Sequence, residues 1–259
     1  MLASRPASTP MDYSTRLTAS MGTPLSETSS SSYQRLIGRL IYLTNTRPDI
    51  THDVQQLSQY MAHPTFAHSQ ATFRILRYLK GSPGSGIFLV AHGTLQLKAF
   101  SDSDWAGCRD TRRSITRFSV YFGPSFIPWR SKKQPTVSRS SYEAKYRALA
   151  STTCELQWLT YLLHDFRVSF IQPATLYCDN QSTIQIGSNP VFHERTKHIE
   201  IDCHIVRDKV NQGLLELLPI SSHMQLADIL MKPLSSSLFQ GLCSKLGMMN
   251  IHSQLEGGS

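Results

Sequence analysis

The chain contains no Cys-x-x-Cys pair and only five cysteines in 259 residues: Cys108, Cys154, Cys178, Cys203 and Cys243. An odd, scattered set is not a disulfide framework; it suits reduced thiols and sets the expectation of an intracellular protein, in cytoplasm or nucleus. No apolar run approaches the roughly 18 residues needed to cross a bilayer, and the N-terminus lacks the apolar core of a secretory signal, so no membrane partner is expected. Internal repeats are absent. Acidic residues are scarce, 18 Asp and Glu against 26 Lys and Arg, which leaves a formal charge of +8. That balance favours a polyanionic partner, and Arg109, Arg112, Arg113, Arg117, Arg130, Lys132, Lys133 and Arg139 are crowded into one stretch of the chain.

What is present is ordinary globular composition, 40% apolar and 17% charged, with enough mass for a proper core. Residues 1 to 32 are rich in Ser, Thr, Pro and Met and read as an extended or disordered leader. Residues 33 to 85 read as three helices. The first carries the Leu36, Ile37, Leu40 and Ile41 stripe, the second follows Arg47-Pro48-Asp49 with Asp49 or Thr51 as N-cap, and the third runs from Phe66 to Leu79. The Gly81-to-Gly86 stretch marks a boundary. Beyond it, strands are expected over 87–90, 95–102, 114–123 and 125–131, then a long helix from Ser141 to about His164 and a buried strand over 174–179. Helices over 180–186 and 199–211, a strand over 214–220 and a helix over 225–232 stopped by Pro233 complete a mixed α/β domain over 87 to 233. Residues 234 to 259 form a C-terminal helix and tail.

Three widely separated segments place an aspartate at the end of an apolar run: Phe100-Ser-Asp102-Ser-Asp104-Trp105, Leu176-Tyr-Cys-Asp179-Asn180 and Leu226-Ala-Asp228-Ile229. Carboxylates in apolar settings need partners, and several together usually share a divalent metal. Taken singly, each Asp is also explained as a turn or N-cap residue, Asp179 before Asn180 above all. Asp104 shares a strand face with Asp102 if the strand continues that far. Trp105-Ala106-Gly107 argues that it stops, which makes Asp104 the runner-up.

The element order from Leu95, β-β-β-α-β-α-α-β-α, resembles ribonuclease H, and the words along the chain are more specific. Tyr33-Gln-Arg-Leu-Ile-Gly-Arg-Leu-Ile-Tyr-Leu-Thr, Thr46-Arg-Pro-Asp-Ile, Leu76-Arg-Tyr-Leu-Lys-Gly, Ser103-Asp-Trp-Ala-Gly-Cys, Ser131-Lys-Lys-Gln-Pro-Thr-Val-Ser-Arg-Ser-Ser, Tyr177-Cys-Asp-Asn-Gln, His193-Glu-Arg-Thr-Lys-His-Ile-Glu-Ile-Asp and Gln225-Leu-Ala-Asp-Ile resemble the C-terminal part of a copia-type LTR-retrotransposon Pol polyprotein over roughly residues 20 to 250. The resemblance implies that 33 to 85 is the helical end of a reverse transcriptase, whose polymerase palm has no counterpart here, and that 87 to 233 is a ribonuclease H-like mixed five-stranded sheet with flanking helices. It also implies hydrolysis of the RNA strand of RNA–DNA hybrids by two Mg²⁺ ions roughly 3.5–4 Å apart, held by hard carboxylate ligands. Asp102, Asp179 and Asp228 are then three of its four acids. Arg195, Lys197 and His198 would contact nucleic-acid phosphate, and His223 stands where some ribonucleases H place a histidine that assists product release.

The fourth acid is where this sequence departs. In the family's helix motif the catalytic glutamate precedes the residue that opens the Arg-Ala-Leu stretch, and before Tyr146-Arg147-Ala148-Leu149 stands Lys145. Helical spacing agrees, since Tyr142, Lys145, Tyr146, Leu149, Thr153 and Leu156 form one stripe that aims Lys145 toward the sheet side. Snorkelling to a rim is the bland alternative. Glu143 lies about 200° round the helix from Lys145 and is expected to cap and to pair with Arg147. A lysine charge ~5 Å from a dication, at an effective dielectric constant of ~20, is repulsive by on the order of 6 kcal/mol as an upper bound. The expectation is a ribonuclease H fold with impaired catalysis, with a non-catalytic nucleic-acid-binding module or an inert transposon relic as alternatives. Arg117 stands where the family usually has a glycine in the second strand, and is expected to cost stability if that glycine relieves a bulge. A zinc site from His193, His198, Cys203 and His204 is disfavoured by spacing, because adjacent Cys203 and His204 point apart on a helix. Trp105, Trp129 and Trp158 are assigned to the core ahead of base stacking.

Overall fold

The computed structural model describes residues 3–188, 199–230 and 234–252. It divides into two compact units, Met1–Phe88 with Ile229–Ser259 and Leu89–Asp228. This division differs from the boundaries expected from the sequence, because the C-terminal stretch belongs with the N-terminal helices.

The first unit contains α1 (Glu27–Leu43), α2 (Thr51–Ser58) and α3 (Phe66–Gly81), with β1 (Ser85–Ile87) paired antiparallel to β7 (Met248–Asn250) after α7 (Ser236–Lys245). Helix α1 begins six residues ahead of the expected Tyr33. Ser26 caps it by accepting from Ser29 N, and the serine run reads on as helix because nothing in it forbids helical backbone. The leader is not loose: Met11 and Leu17 are buried, and Ala7 N donates to the Arg77 carbonyl of α3 at 3.2 Å. Asp49 is not an N-cap. It pairs with Arg47 at 2.7 Å and accepts from Tyr78 Oη at 2.6 Å, so a buried charge is matched on two sides.

The second unit is a five-stranded mixed sheet in the order β4-β3-β2-β5-β6. Its strands are β2 (Gln96–Asp104), β3 (Ile115–Phe122), β4 (Ser125–Lys133), β5 (Ile171–Cys178) and β6 (Leu215–Pro219). β2, β3 and β4 form an antiparallel meander. β2, β5 and β6 run parallel, with α4 (Ser141–Asp165) between β4 and β5, and α5 (Gln181–Ser188) and α6 (Glu200–Asn211) between β5 and β6. This is the ribonuclease H-like layout expected from the element order. The stripe of α4 does the packing: Tyr146, Leu149, Thr153 and Leu156 are fully buried. Tyr146, Leu149 and Leu156 share a core with Leu97, Ala99, Phe118, Val120, Leu176 and Val206, where each large apolar side chain contributes roughly 1.5–3 kcal/mol of burial.

Differences from the sequence reading are local. The strand expected over 87–90 is only Ser85–Ile87, and the helix expected over 225–232 is a 3₁₀ turn, Leu226–Leu230. Trp105 and Trp158 are 49% and 56% exposed, so they are not core residues.

Candidate functional site

Two carboxylates are brought together by the parallel pairing at the sheet centre. In the β2–β5 register Phe100 faces Tyr177, and two residues further along each chain stand Asp102 and Asp179. Ligand sites of such sheets form at the carboxyl ends of parallel strands. Strand β2 does not stop at Asp102: it runs to Asp104, and the turn begins only at Trp105, with Ala106 in the left-handed region at φ 54°. Asp104 therefore belongs to the strand face that carries Asp102.

Lys145 enters this cluster from the first turns of α4. Its Nζ donates to Asp179 Oδ1 at 2.6 Å and lies 3.1 Å from Asp102 Oδ1. The helix is anchored for this reach: Ser140 accepts from Glu143 N at 3.1 Å, and Glu143 accepts from Arg139 N at 2.8 Å and from Arg147 at 2.7 Å. Glu143 makes the expected i+4 pair with Arg147, but its carboxylate takes the N–H of Arg139, one residue ahead of the N-cap, in place of the Ser140 N–H of a capping box. Burial works against the Lys145 ammonium, but Asp102 and Asp179 outweigh it and raise its pKa above the ordinary lysine value. For Asp102 the balance goes the other way. Its desolvation exceeds the help from Lys145, Asp179 adds repulsion, and the carboxyl is pushed up. The two distances fix the geometry of a charged lysine shared by two acids.

Arg117 meets the cluster from β3, where it lies directly opposite Asp102 in regular antiparallel register. The register shift of that strand falls between Ser119 and Tyr121, so Arg117 occupies no bulge. Its side chain is fully buried and its Nη2 lies 3.5 Å from Asp104 Oδ2. Burial lowers the guanidinium pKa, opposed by the charges of Asp104, Asp102 and Asp228. The strand cost expected for Arg117 finds no bulge here; the guanidinium is instead an ion-pair partner of Asp104.

The remaining expected residues divide. Asp228 stands half-buried in the 3₁₀ turn, close enough for its charge to act on Arg117. His223 is exposed, 3.4 Å from Ser221 Oγ, while its neighbour Ser222 donates to Asp179 Oδ2 at 3.4 Å. Arg195, Lys197, His198 and His193 lie outside the described residues, so the phosphate-contact and zinc readings built on them have no structural description. Sequence reasoning missed Gln225. Its buried amide donates to the Ser101 carbonyl at 3.2 Å and accepts from Ala227 N at 3.3 Å, tying β2 to the Asp228 turn. It also missed Gln134, which donates to Thr116 Oγ1 and to the Ala144 carbonyl, both at 3.0 Å, and links β3 to α4. Both signals are single polar residues without periodicity.

The donor set does not fit a divalent-metal centre. Among the described residues, no group of three or more His, Cys, Asp and Glu side chains is spaced to hold a metal ion. The physical reason is the ammonium between Asp102 and Asp179, with Arg117 against Asp104: the acids already have cations.

No protein-family model matches the chain. Over 251 residues, 97% of this chain, it is 46% identical to the retrovirus-related Pol polyprotein from transposon RE1 of Arabidopsis thaliana. It is 34% identical over 251 residues to the corresponding polyprotein from transposon TNT 1-94 of Nicotiana tabacum. The chain spans 17% and 19% of the lengths of those two relatives. Among solved structures, it aligns with the N-terminal RNase H domain of a Mycobacterium tuberculosis protein at a TM-score of 0.40 and 11% identity, over 58% of this chain and 98% of that one. The fold assignment rests on the sheet itself, with its antiparallel meander, parallel centre and acids at the β2 and β5 ends. The second unit has a ribonuclease H-like layout, and by sequence the chain belongs to the copia-type LTR-retrotransposon Pol polyprotein family.

Proposed function

We propose that this chain is a retrotransposon-derived ribonuclease H module that engages RNA–DNA hybrid or other nucleic acid, and whose hydrolysis of the RNA strand is impaired because Lys145 replaces the catalytic glutamate. The observation that carries this reading is Lys145 Nζ at 2.6 Å from Asp179 and 3.1 Å from Asp102. Hydrolysis of a phosphodiester in this fold requires cations drawn to carboxylates, and here the chain supplies its own. Replacing an acid by a base at the cluster both removes a ligand and adds repulsion.

Binding does not depend on that cluster. The formal charge of +8, with Arg109, Arg112, Arg130, Lys132 and Arg139 exposed on the second unit, supports attraction to phosphate backbones that weakens as salt rises. The test is cleavage of a labelled RNA–DNA hybrid in Mg²⁺ and Mn²⁺, with binding followed in parallel by fluorescence anisotropy across a salt series. The expected result is salt-dependent binding without cleavage by the unaltered chain. Cleavage at a rate matching Lys145→Glu overturns the assignment of Lys145. A folded chain that binds no hybrid at low salt leaves the inert-relic reading in its place.

A further inference from the structure

We infer that Arg117 is a second, buried counter-cation of the acid cluster, so that divalent metal is excluded from it twice over, by Lys145 and independently by Arg117. The inference rests on the reading of Lys145 given above and extends it to a residue on another strand. Three observations carry it. Arg117 is the cross-strand partner of Asp102, so their side chains leave the same face of the β2–β3 ladder. Its Nη2 reaches Asp104, two residues along β2 on that face, at 3.5 Å. The side chain has no exposure at all, whereas that of Lys145 is 19% exposed.

The difference in exposure decides which cation is the more permanent. An ammonium on a flexible stem at a water-reached rim can swing aside or lose its proton. A fully buried guanidinium stays protonated and has no solvent to move into, so water and salt screen its field on the buried Asp102 far less than they screen a rim charge. Restoring a glutamate at 145 would therefore leave a fixed positive charge opposite Asp102. A dication arriving there would compete with Arg117 for the same carboxylates. Loss of metal binding is then a property of two positions on two elements, and reversal of either one is insufficient.

The experiment is Mn²⁺ titration by calorimetry and by Mn²⁺ electron paramagnetic resonance, on the full chain and on Lys145→Glu, Arg117→Gly and the double variant. Thermal unfolding with and without Mn²⁺ supplies a readout independent of cleavage. Because glycine leaves a void in place of a large side chain, Lys145→Glu/Arg117→Met is included as a neutral replacement of similar bulk. The expected result is that the double variants bind Mn²⁺ at least about tenfold more tightly than either single variant, and that adding Asp102→Asn abolishes the gain. Lys145→Glu binding as tightly as the doubles overturns the role of Arg117 and leaves that of Lys145 standing. Arg117→Gly alone binding as tightly as the doubles overturns the role of Lys145 instead. Folded double variants that bind no better than the parent overturn the inference outright.

Discussion

Lys145 and Asp179 join α4 to the end of β5 through a 2.6 Å charge-assisted hydrogen bond, and the same ammonium lies 3.1 Å from Asp102 on β2. One side chain thus ties three elements at the point where the parallel strands end. Removing its charge leaves two facing carboxylates, one of them with only 3% side-chain exposure. Lys145→Gln is expected to cost about 1–2 kcal/mol at neutral pH, a figure already reduced for the water that reaches Lys145. Lys145 has a raised folded pKa, so its contribution is fully present below the unfolded value of 10.5 and is lost as pH rises through the higher folded value. Urea unfolding of parent and variant across neutral to strongly alkaline pH should show the gap closing only at the alkaline end.

Asp202 on α6 gives the opposite sign. Burial pushes its carboxyl up, Arg147 opposes this and Glu143 adds to it. A carboxylate with a raised folded pKa destabilises the fold while ionised, and the penalty lifts as pH falls through that raised value. Asp202→Asn should be more stable than the parent at neutral pH and converge with it in acid, near and below the ordinary value of 3.8. Equal melting temperatures at both ends would show that the half-buried carboxylate is fully compensated.

Gly107 lies directly against the Asp104 side chain. A Cβ at this position would overlap the Asp104 carboxylate, which must then leave Arg117. Gly107→Ala is expected to destabilise by about 1–3 kcal/mol through overpacking and the loss of a buried ion-pair partner. Pairing the substitution with Arg117→Met should make the two effects less than additive in a double-mutant cycle. Simple additivity would mean that Asp104 and Arg117 are not coupled.

Gln225 is 2% exposed and its amide satisfies one carbonyl of β2 and one amide of the Asp228 turn. Gln225→Leu leaves both groups buried without their partner, for an expected loss of about 1–3 kcal/mol. Hydrogen exchange at Ala227 should accelerate in the variant, and unchanged protection there would show that another group holds the turn.

The parts of the site legible in the sequence are those whose signal is periodic or local. Asp102 and Asp179 end apolar runs, and Lys145 falls on the buried stripe of α4, so two strand ends and one helix face could be read directly. Arg117 could be read as unusual but not as a partner of Asp102. Alternation gives a residue its face, while the partner across the ladder depends on register, which the sequence of one strand does not carry. Asp104 is hard to place from sequence because Trp105-Ala106-Gly107 does begin a turn, but only after the strand has taken in Asp104. The serines of α1 illustrate the same limit, since composition alone reads them as leader while Ser26 caps a helix that includes them.

The pairing of β1 with β7 makes the first unit discontinuous in the chain, closed by residues that follow the whole second unit in sequence. The stretch from Leu89 to Asp228 is contiguous and can complete its sheet as soon as it has left the ribosome. Ser85–Ile87 emerges earlier, yet its edge stays open until Met248–Asn250 follows. The order of completion therefore reverses the order of synthesis, and the helical unit spends the whole translation of its neighbour waiting for its own far end.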